Sequence, residues 1–554
     1  MSYQEDFNAA EVSTGGLKEY RVYGPPGTGK TTWMTRQIAL AAKKYGGKRI
    51  LACSFTRTAA AELTARLQGA DVRVPDSNVG TIHSLCFKAA GNPTLAETKV
   101  ADWNNEHPQY QLSKRNAARA IEEGETEDAG FDGSADSLLA QYNILRNQLV
   151  PLPDMPYDVA CFATAWEAWK AENDLMDFTD LLSMAGMDML YAPNNTTVAF
   201  VDEAQDLTPL QLAVVRNWAR SMSHFILAGD DDQCLYTFSG ASPETLISDG
   251  FPADHKIVLS QSYRVPRAVH SVAERWISRC QKREPKEYKP NEVEGRVRSM
   301  PQASYKYALA AVQDAQKQLA EGRSVMFLTA CSYMLRASLL PTLKDKRVPF
   351  WNPYRLTNGE WNPINGARRR KVMAFIHPDG PHGPFGKLWS LDQLEDWLPL
   401  ISAQSWLKRG AKEALKRVRK ADRQQDALYN WYCDYFLQPG FDEAHLAAVN
   451  NNAEWLQNAM PADKRQSWQY TFDVMASLGG EHPRCVVGTI HSVKGGEADC
   501  VYLFPDLSPQ AVRNLYNPGG ADDIVRQFYV GITRARQELV LCAPSTRYFA
   551  DIPG

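Results

Sequence analysis

The stretch EYRVYGPPGTGKTTWMTRQIALAAKKYG, residues 19–46, constrains the fold more than any other. An apolar strand runs into GPPGTGKT (24–31), and an amphipathic helix leaves it. Strand, glycine-rich turn and helix in that order are the setting of a P-loop, GxxxxGK[ST]. The glycines let backbone N–H groups turn inward around phosphate oxygens, and the helix N-terminus adds its positive end. Gly24, Pro25, Pro26, Gly27, Thr28, Gly29, Lys30, Thr31 and Thr32 are the expected phosphate-binding residues. Lys30 supplies a point charge to the β- and γ-phosphates, and the Thr31 hydroxyl completes a Mg2+ shell.

The rest of the chain supplies the sheet such a loop requires. RILACSF reads as a second strand, with a helix from about Thr58 to Gly69, and TVAFVDEAQD (197–206) and HFILAGDDDQ (224–233) as two more. Strands alternating with helices indicate α/β with a mostly parallel sheet. Residues 88–174 read as helical and polar, with a soft acidic linker at EEGETEDAGFDGSADS. A second α/β pattern opens near KIVLSQSYR and continues through SVMFLTACSYMLRASLLPTL. It breaks at a segment rich in Trp, Pro, Lys and Arg, then resumes at RCVVGTIHS, ADCVYLFPD and QELVLCA. The expected architecture is two α/β domains, each interrupted by a mainly helical insertion. Its segments are 1–87 and 175–255 around an insertion at 88–174, then 256–348 and 483–554 around an insertion at 349–482.

The hexapeptide VGTIHS occurs at 79–84 and again at 487–492, one copy in each expected α/β domain. SLCFKAAGN follows the first and VKGGEADCVYLF the second, so a duplication would be old and reduced to a functional kernel.

Composition excludes several classes. The longest apolar runs, such as VMFLTAC, are too short for a bilayer. The opening MSYQEDFNAAEVSTGG is acidic and polar, unlike a signal or transit peptide. Ten cysteines without a CxxC pair argue for a reducing compartment and against structural zinc. A formal charge of −3 means that any nucleic-acid surface is local.

Candidate chemistry gathers at strand ends. In VDEAQD, Asp202 is placed to hold Mg2+ and Glu203 to orient and deprotonate an attacking water. The alternative for such an acid pair is a helix N-cap; the P-loop upstream favours the catalytic reading. Gln233 in GDDDQ is a candidate γ-phosphate sensor, against a plain surface amide. Phosphoryl transfer also needs cations facing the developing charge, and Arg264 of QSYR and Arg534 of GITRARQEL are the candidates.

Taken together, SFTRTAAAEL, VGTIHSLCF, FVDEAQD, GDDDQCLYTFSGA, QSYR, GTIHSVKGGEAD and VGITRAR resemble, in order and spacing, superfamily-one helicases of the UvrD/PcrA/Rep type. The resemblance implies two RecA-like motor domains (1A and 2A) with helical insertions (1B and 2B). It also implies ATP and Mg2+ as cofactors and 3′ to 5′ movement on single-stranded DNA with duplex separation, in repair, replication or recombination. Carried over by position, it adds Tyr263 stacked on adenine and Glu497 near the ribose. For DNA it adds Phe55, Thr56, Thr81, His83, Tyr236, Phe238, Thr489 and His491, with Arg57 where the family has asparagine. Thr and His donors would hold phosphate and sugar, and the aromatics would stack on bases of any sequence. The alternative for the aromatics is core packing.

Departures from the family pattern are visible. The loop reads GPPGTGKT where this branch more often has GAGSGKT, and no glutamine motif for adenine precedes it. Phe238-Ser239 stands for the usual tryptophan-arginine pair, and the chain ends soon after VGITRARQELVLCAP, as in a compact bacterial or phage version. Expected partners are single-stranded DNA, single-strand/duplex junctions and replication or repair proteins. A monomer or weakly self-associating protein of the cytoplasm, nucleoid-associated or in a phage host, is expected. Alternatives are a translocase that strips bound proteins with little unwinding, and an ATP-gated DNA-binding subunit. In the second insertion, WLKRGAKEALKRVRKADR reads as a helix with Leu407, Ala411, Leu415 and Val418 on one face. Lys408, Lys412, Lys416 and Lys420, with Arg409, Arg417, Arg419 and Arg423, form its cationic stripe. Lys412 and Lys416 are the candidate duplex contacts, against a merely solvated face.

Overall fold

The computed structural model describes residues 19–113, 133–187, 192–247, 251–364, 367–402, 406–419, 424–436, 440–478, 481–515 and 519–554. The chain forms two compact units. One comprises Met1–Pro301, Leu328–Ser332 and Thr489–Gly554, the other Gln302–Phe327 and Tyr333–Gly488.

In the first unit, β1 (Glu19–Tyr23), β2 (Ile50–Ser54), β3 (Val79–Thr81), β4 (Val198–Asp202), β5 (His224–Gly229) and β6 (Lys256–Val258) build one sheet. Its order is β3-β2-β4-β5-β1-β6, and every neighbouring pair is parallel. Central parallel strands are covered on both faces, which explains their unbroken apolar runs. On one face the helix Lys30–Tyr45 lays Trp33, Met34 and Ile38 against Val22, Ala52, Phe200 and Ile226. On the other, Leu181, Leu182, Val214 and Trp218 pack on Leu51, Cys53, Val201 and Leu227. All the strands point the same way, so β1, β2, β4 and β5 end along one edge, where α/β sheets bind ligands.

Two short strands differ from the sequence expectation: the first is not among the expected strands, and the second is expected to open the second α/β pattern. The VGT of the first hexapeptide is β3, and KIV pairs with Arg21–Tyr23 as β6. The first sheet therefore runs to Val258, past the expected limit at 255, because an apolar run says nothing about which edge it joins.

The expected polar insertion at 88–174 has a core of its own. Trp103, Phe162, Trp166 and Trp169 pack with Leu138 and Leu139, on the helices Val100–Glu106, Ala135–Asn147 and Tyr157–Glu172. Most of the expected acidic linker lies outside the described residues.

A second six-stranded sheet contains β7 (Arg296–Met300), β8 (Val325–Thr329) and β9 (Phe350–Trp351). After a small hairpin, β10 (His382–Gly383) and β11 (Gly386–Lys387), it continues with β12 (Cys485–Thr489), β13 (Ala498–Leu503) and β14 (Ala535–Cys542). The order is β7-β14-β13-β8-β12-β9. β9 falls within the residues expected as insertion. In the second unit, helices between Ala367 and Leu478 enclose Phe375, Trp389, Trp397, Trp431, Phe436 and Phe441. The fold is thus α/β, with two RecA-like motor domains on parallel six-stranded sheets, each interrupted by mainly helical segments. No helix among the described residues is long and apolar enough to cross a membrane.

Candidate nucleotide and nucleic-acid site

The loop after β1 is shaped by two glycines with positive φ, Gly27 (75°) and Gly29 (79°), the latter starting the helix Lys30–Tyr45. That first turn carries no acidic side chain, so its unpaired N–H groups present an uncompensated positive end. Lys30 folds back over the loop, and its Nζ donates to the Gly24 carbonyl at 2.8 Å. A Cβ on Gly24 would lie 2.1 Å from Lys30 Cγ, so only glycine lets the lysine cross there. The Thr28 hydroxyl donates to Pro25 O at 2.8 Å, and Pro26 O accepts from Ser262 and Tyr288, each at 2.9 Å. Thr32 accepts from Arg66 at 3.0 Å. Tyr263 N–H donates to Gly27 O at 2.9 Å while its ring stays 75% exposed, a free flat face beside the loop. Arg264 packs its Cβ side toward Gly27 and donates to Glu497 at 2.7 Å.

At the end of β4, Thr31 donates to Asp202 at 3.3 Å. A half-buried hydroxyl beside a buried carboxylate offers two hard oxygen donors and fits Mg2+. Burial, with Glu203 next to it, pushes the Asp202 carboxyl well above the usual carboxylate range. Burial would raise Glu203 too, but the ammoniums of Lys30 and Lys494 outweigh it and hold that group ionised. Glu203 sits at φ 54°, uncommon for a residue with a side chain, the kind of strain that concentrates at functional turns. Beyond β5, Gln233 donates to Asp230 at 2.7 Å and accepts from Arg534 at 3.0 Å. Arg534 is buried and donates also to Val530 O and Gly496 O. Lys30, Thr31, Asp202, Glu203, Gln233 and Arg534 therefore lie in one connected region, with Arg264 and Glu497 paired at the loop's rim.

The expected DNA aromatics also come together. Phe55 and Tyr236 rings are 5.3 Å apart, Tyr236 and Phe238 6.0 Å, and Phe238 and His491 5.4 Å edge to face. Phe55 and Phe238 are half-buried and Tyr236 is buried. Thr56 caps the helix Arg57–Gly69 through Ala59 N–H, and Arg57 beside it is exposed. Thr81 caps the helix Ile82–Ala89, and Thr489 makes the same bond ahead of the turn His491–Val493, each accepting from the backbone of the serine three residues on, at 3.2 Å. His83 leaves this cluster: its ring lies edge-on to Phe178, and burial, then Arg57, lowers it to about 4.

Sequence comparison agrees with this geometry. Residues 5–250 match the model of the UvrD/REP helicase N-terminal domain, and residues 484–542 that of the UvrD-like helicase C-terminal domain. The chain belongs to the UvrD/REP helicase family. It is 32% identical over 283 residues to the ATP-dependent DNA helicase UvrD2 of Mycobacterium tuberculosis, covering 46% of this chain and 40% of the relative. It is 26% identical over 389 residues to the putative ATP-dependent DNA helicase YjcD of Bacillus subtilis, covering 63% and 48%. To the ATP-dependent DNA helicase PcrA of Staphylococcus aureus it is 24% identical over 286 residues, covering 47% and 38%. The matched segments span less than half the length of these relatives.

In this UvrD/REP-family chain, three residues that sequence reading passed over hold the site together. Lys494 is largely but not fully buried, 3.6 Å from the Glu203 carboxylate, in close contact with Asp206, and donates to Gln233 O at 3.0 Å. Its ammonium also lies 5.4 Å from the centre of the Tyr236 ring. Gln205 donates to Glu203 and accepts from Asp230 N–H at 3.0 Å. Lys286, 1% exposed, lies between Asp230 and Asp232, at 3.0 and 2.9 Å, and is also paired with Asp231. A lysine inside VKGGEAD, directly after a repeated hexapeptide, was the available signal for Lys494.

Among the described residues of the basic segment, the helix that follows Gly410, which turns left-handed at φ 86°, runs over Ala411–Val418. Lys408 therefore falls outside the helix, a correction to the four-residue spacing. Leu407, Ala411, Leu415 and Val418 are buried as expected. Lys412 and Lys416 are exposed, Lys416 3.5 Å from Glu413, and Arg419 is paired with Asp392 and Glu395. Lys420 and Arg423 lie outside the described residues.

Proposed function

We propose that this chain is an ATP-dependent DNA helicase that moves 3′ to 5′ on single-stranded DNA and separates duplex. The observation that carries the reading is Lys494. One largely buried ammonium lies near both the carboxylate suited to activate water, Glu203, and the aromatic cluster suited to stack on bases, through Tyr236.

In this reading, backbone N–H groups of 24–32 and Lys30 clamp the phosphates, Tyr263 stacks on the base and Glu497 lies toward the ribose. Thr31 and Asp202 would hold Mg2+, which neutralises charge on the phosphate oxygens when bound. Glu203, ionised and oriented by Gln205, takes the proton of the attacking water. Gln233, Arg264 and Arg534 face the charge that develops as the bond to the leaving diphosphate breaks. Phe55, Tyr236 and Phe238 stack on bases, while Thr56, Arg57, Thr81, His83, Thr489 and His491 contact the backbone of the strand. The boundaries 1–87, 88–174, 175–255, 256–348, 349–482 and 483–554 stand as the proposed parts of 1A, 1B, 2A and 2B, with Val258 closing the first sheet. Junction DNA, repair or replication proteins and a cytoplasmic setting complete the proposal.

ATP hydrolysis by the full chain, measured with and without single-stranded DNA, tests it: turnover rises with DNA, and equal rates would contradict the reading. Lys412 and Lys416 are proposed to contact duplex. Replacing both with Ala flattens the slope of log affinity against log salt on a tailed duplex by nearly two units, at about 0.9 per released counterion.

A further inference from the structure

The helix Gly520–Ile532 does more than carry Arg534 at its end. Its N-terminal turn offers Asp523, whose carboxylate accepts from the Thr237 hydroxyl at 3.0 Å, and Thr237 directly precedes Phe238. One turn further on, Gln527 Nε2 lies 3.4 Å from His491 Nδ1 and 3.3 Å from the carbonyl of Ala330. Past its C-terminal end, Arg534 donates to Gln233. Residues 523 and 527 are four apart and so share a helix face. That face holds His491 and Thr237, the residue next to Phe238, while the chain just past the same helix reaches the proposed γ-phosphate sensor.

The helix is itself anchored. Arg526 is 2% exposed and 3.7 Å from Asp523, and Asp522 accepts the N–H groups of Gln281 and Lys282, both at 2.9 Å. A helix pinned in this way moves as a unit rather than fraying. Any displacement of Arg534 is thereby carried to Thr237 and His491.

We infer that Asp523 and Gln527 are positioning residues that couple nucleotide turnover to the base-stacking pair, acting through Thr237 and His491. This rests on the helicase reading above. Neither residue touches the nucleotide loop, so removing the contact leaves basal hydrolysis intact and lowers its stimulation by DNA.

The experiment uses the full chain with oligo(dT), reading basal turnover, maximal stimulated turnover and the DNA concentration for half-stimulation. Thr237→Val keeps size and removes the donor; Asp523→Ala removes the acceptor; Asp523→Asn keeps an acceptor and should rescue. Expected is a drop of about fivefold or more in maximal stimulation for Thr237→Val and Asp523→Ala. The double variant should be no worse than either single, as for two ends of one contact. Half-stimulation should shift by less than the stimulation itself. A folded Thr237→Val protein with parental stimulation would overturn the inference alone, as would Asp523→Asn falling as far as Asp523→Ala. A parent without DNA stimulation would remove the helicase reading and this inference with it.

Discussion

The two copies of VGTIHS make the same local structure and lead to different places. In each, a strand ends at threonine, whose hydroxyl accepts from the serine N–H at 3.2 Å while the serine hydroxyl returns to the threonine carbonyl at 2.8 Å. After that they part. The first continues into the helix Ile82–Ala89, with Cys86 buried in the sheet core. The second makes a single 3-10 turn, His491–Val493, and delivers Lys494 at the position corresponding to Cys86. Burial pushes the Cys86 thiol up to about 12, so it is inert packing. Lys494 is less deeply buried, its side chain 11% exposed, and faces Asp206 and Glu203, whose carboxylates keep it charged. The hexapeptide thus specifies a capped strand end, and the residues after it decide whether that end supports a core or joins the chemistry.

The most drastic way to break this comparison is to exchange the two outputs. Lys494→Met leaves the buried Asp206 without its cation and Glu203 with Lys30 as its main cation, and removing one member of a buried pair costs about 3–5 kcal/mol. ATP turnover should fall about 10²-fold, comparable to Glu203→Gln, where only the proton acceptor is lost. Cys86→Ala, its counterpart, should leave turnover unchanged. Steady-state hydrolysis on the three variants checks this, and an active Lys494→Met would detach the second copy from catalysis.

A smaller effect tests what the copies share. Thr81→Val and Thr489→Val each remove one cap, worth about 1 kcal/mol of stability. Urea midpoints should fall by similar amounts for both. A cap that matters in one copy and not in the other would mean that the common geometry has different energetic weight.

A pH-dependent effect sets the histidine of the first copy apart. His83 is held near 4, below its ordinary 6.5, by burial and then by Arg57. The unfolded chain therefore binds the proton first, and stability falls as pH drops from about 6.5 toward 4. His83→Gln, which cannot titrate, should flatten the decline in unfolding midpoint between pH 7 and pH 5. An unchanged slope would mean that other groups carry the acid sensitivity.

What the sequence disclosed follows from range. The loop 24–31, the acids after β4 and Gln233 were legible because each is a local pattern at a strand end, and strand direction alone brings those ends to one edge. Lys494 was not, because its partner Asp206 is 288 residues away and nothing local marks the pairing. Lys286 was missed for the same reason, lying among three aspartates whose GDDDQ run was read only for its glutamine. The stripe from Lys408 onward was overextended because Gly410 breaks the helix with a backbone conformation that residue spacing cannot report. Thr81 and Thr489 read as strand contacts, yet both are buried and their hydroxyl oxygens serve the turn.

The central claim is that hydrolysis around Lys30 and Glu203 drives directed movement along DNA. Strand displacement with ATP on two otherwise identical duplexes, one with a 3′ single-stranded tail and one with a 5′ tail, tests it most directly. ATP-dependent separation of the 3′-tailed duplex is expected, with little from the 5′-tailed one. Separation of only the 5′-tailed duplex, or of neither while ATP is hydrolysed, would contradict it.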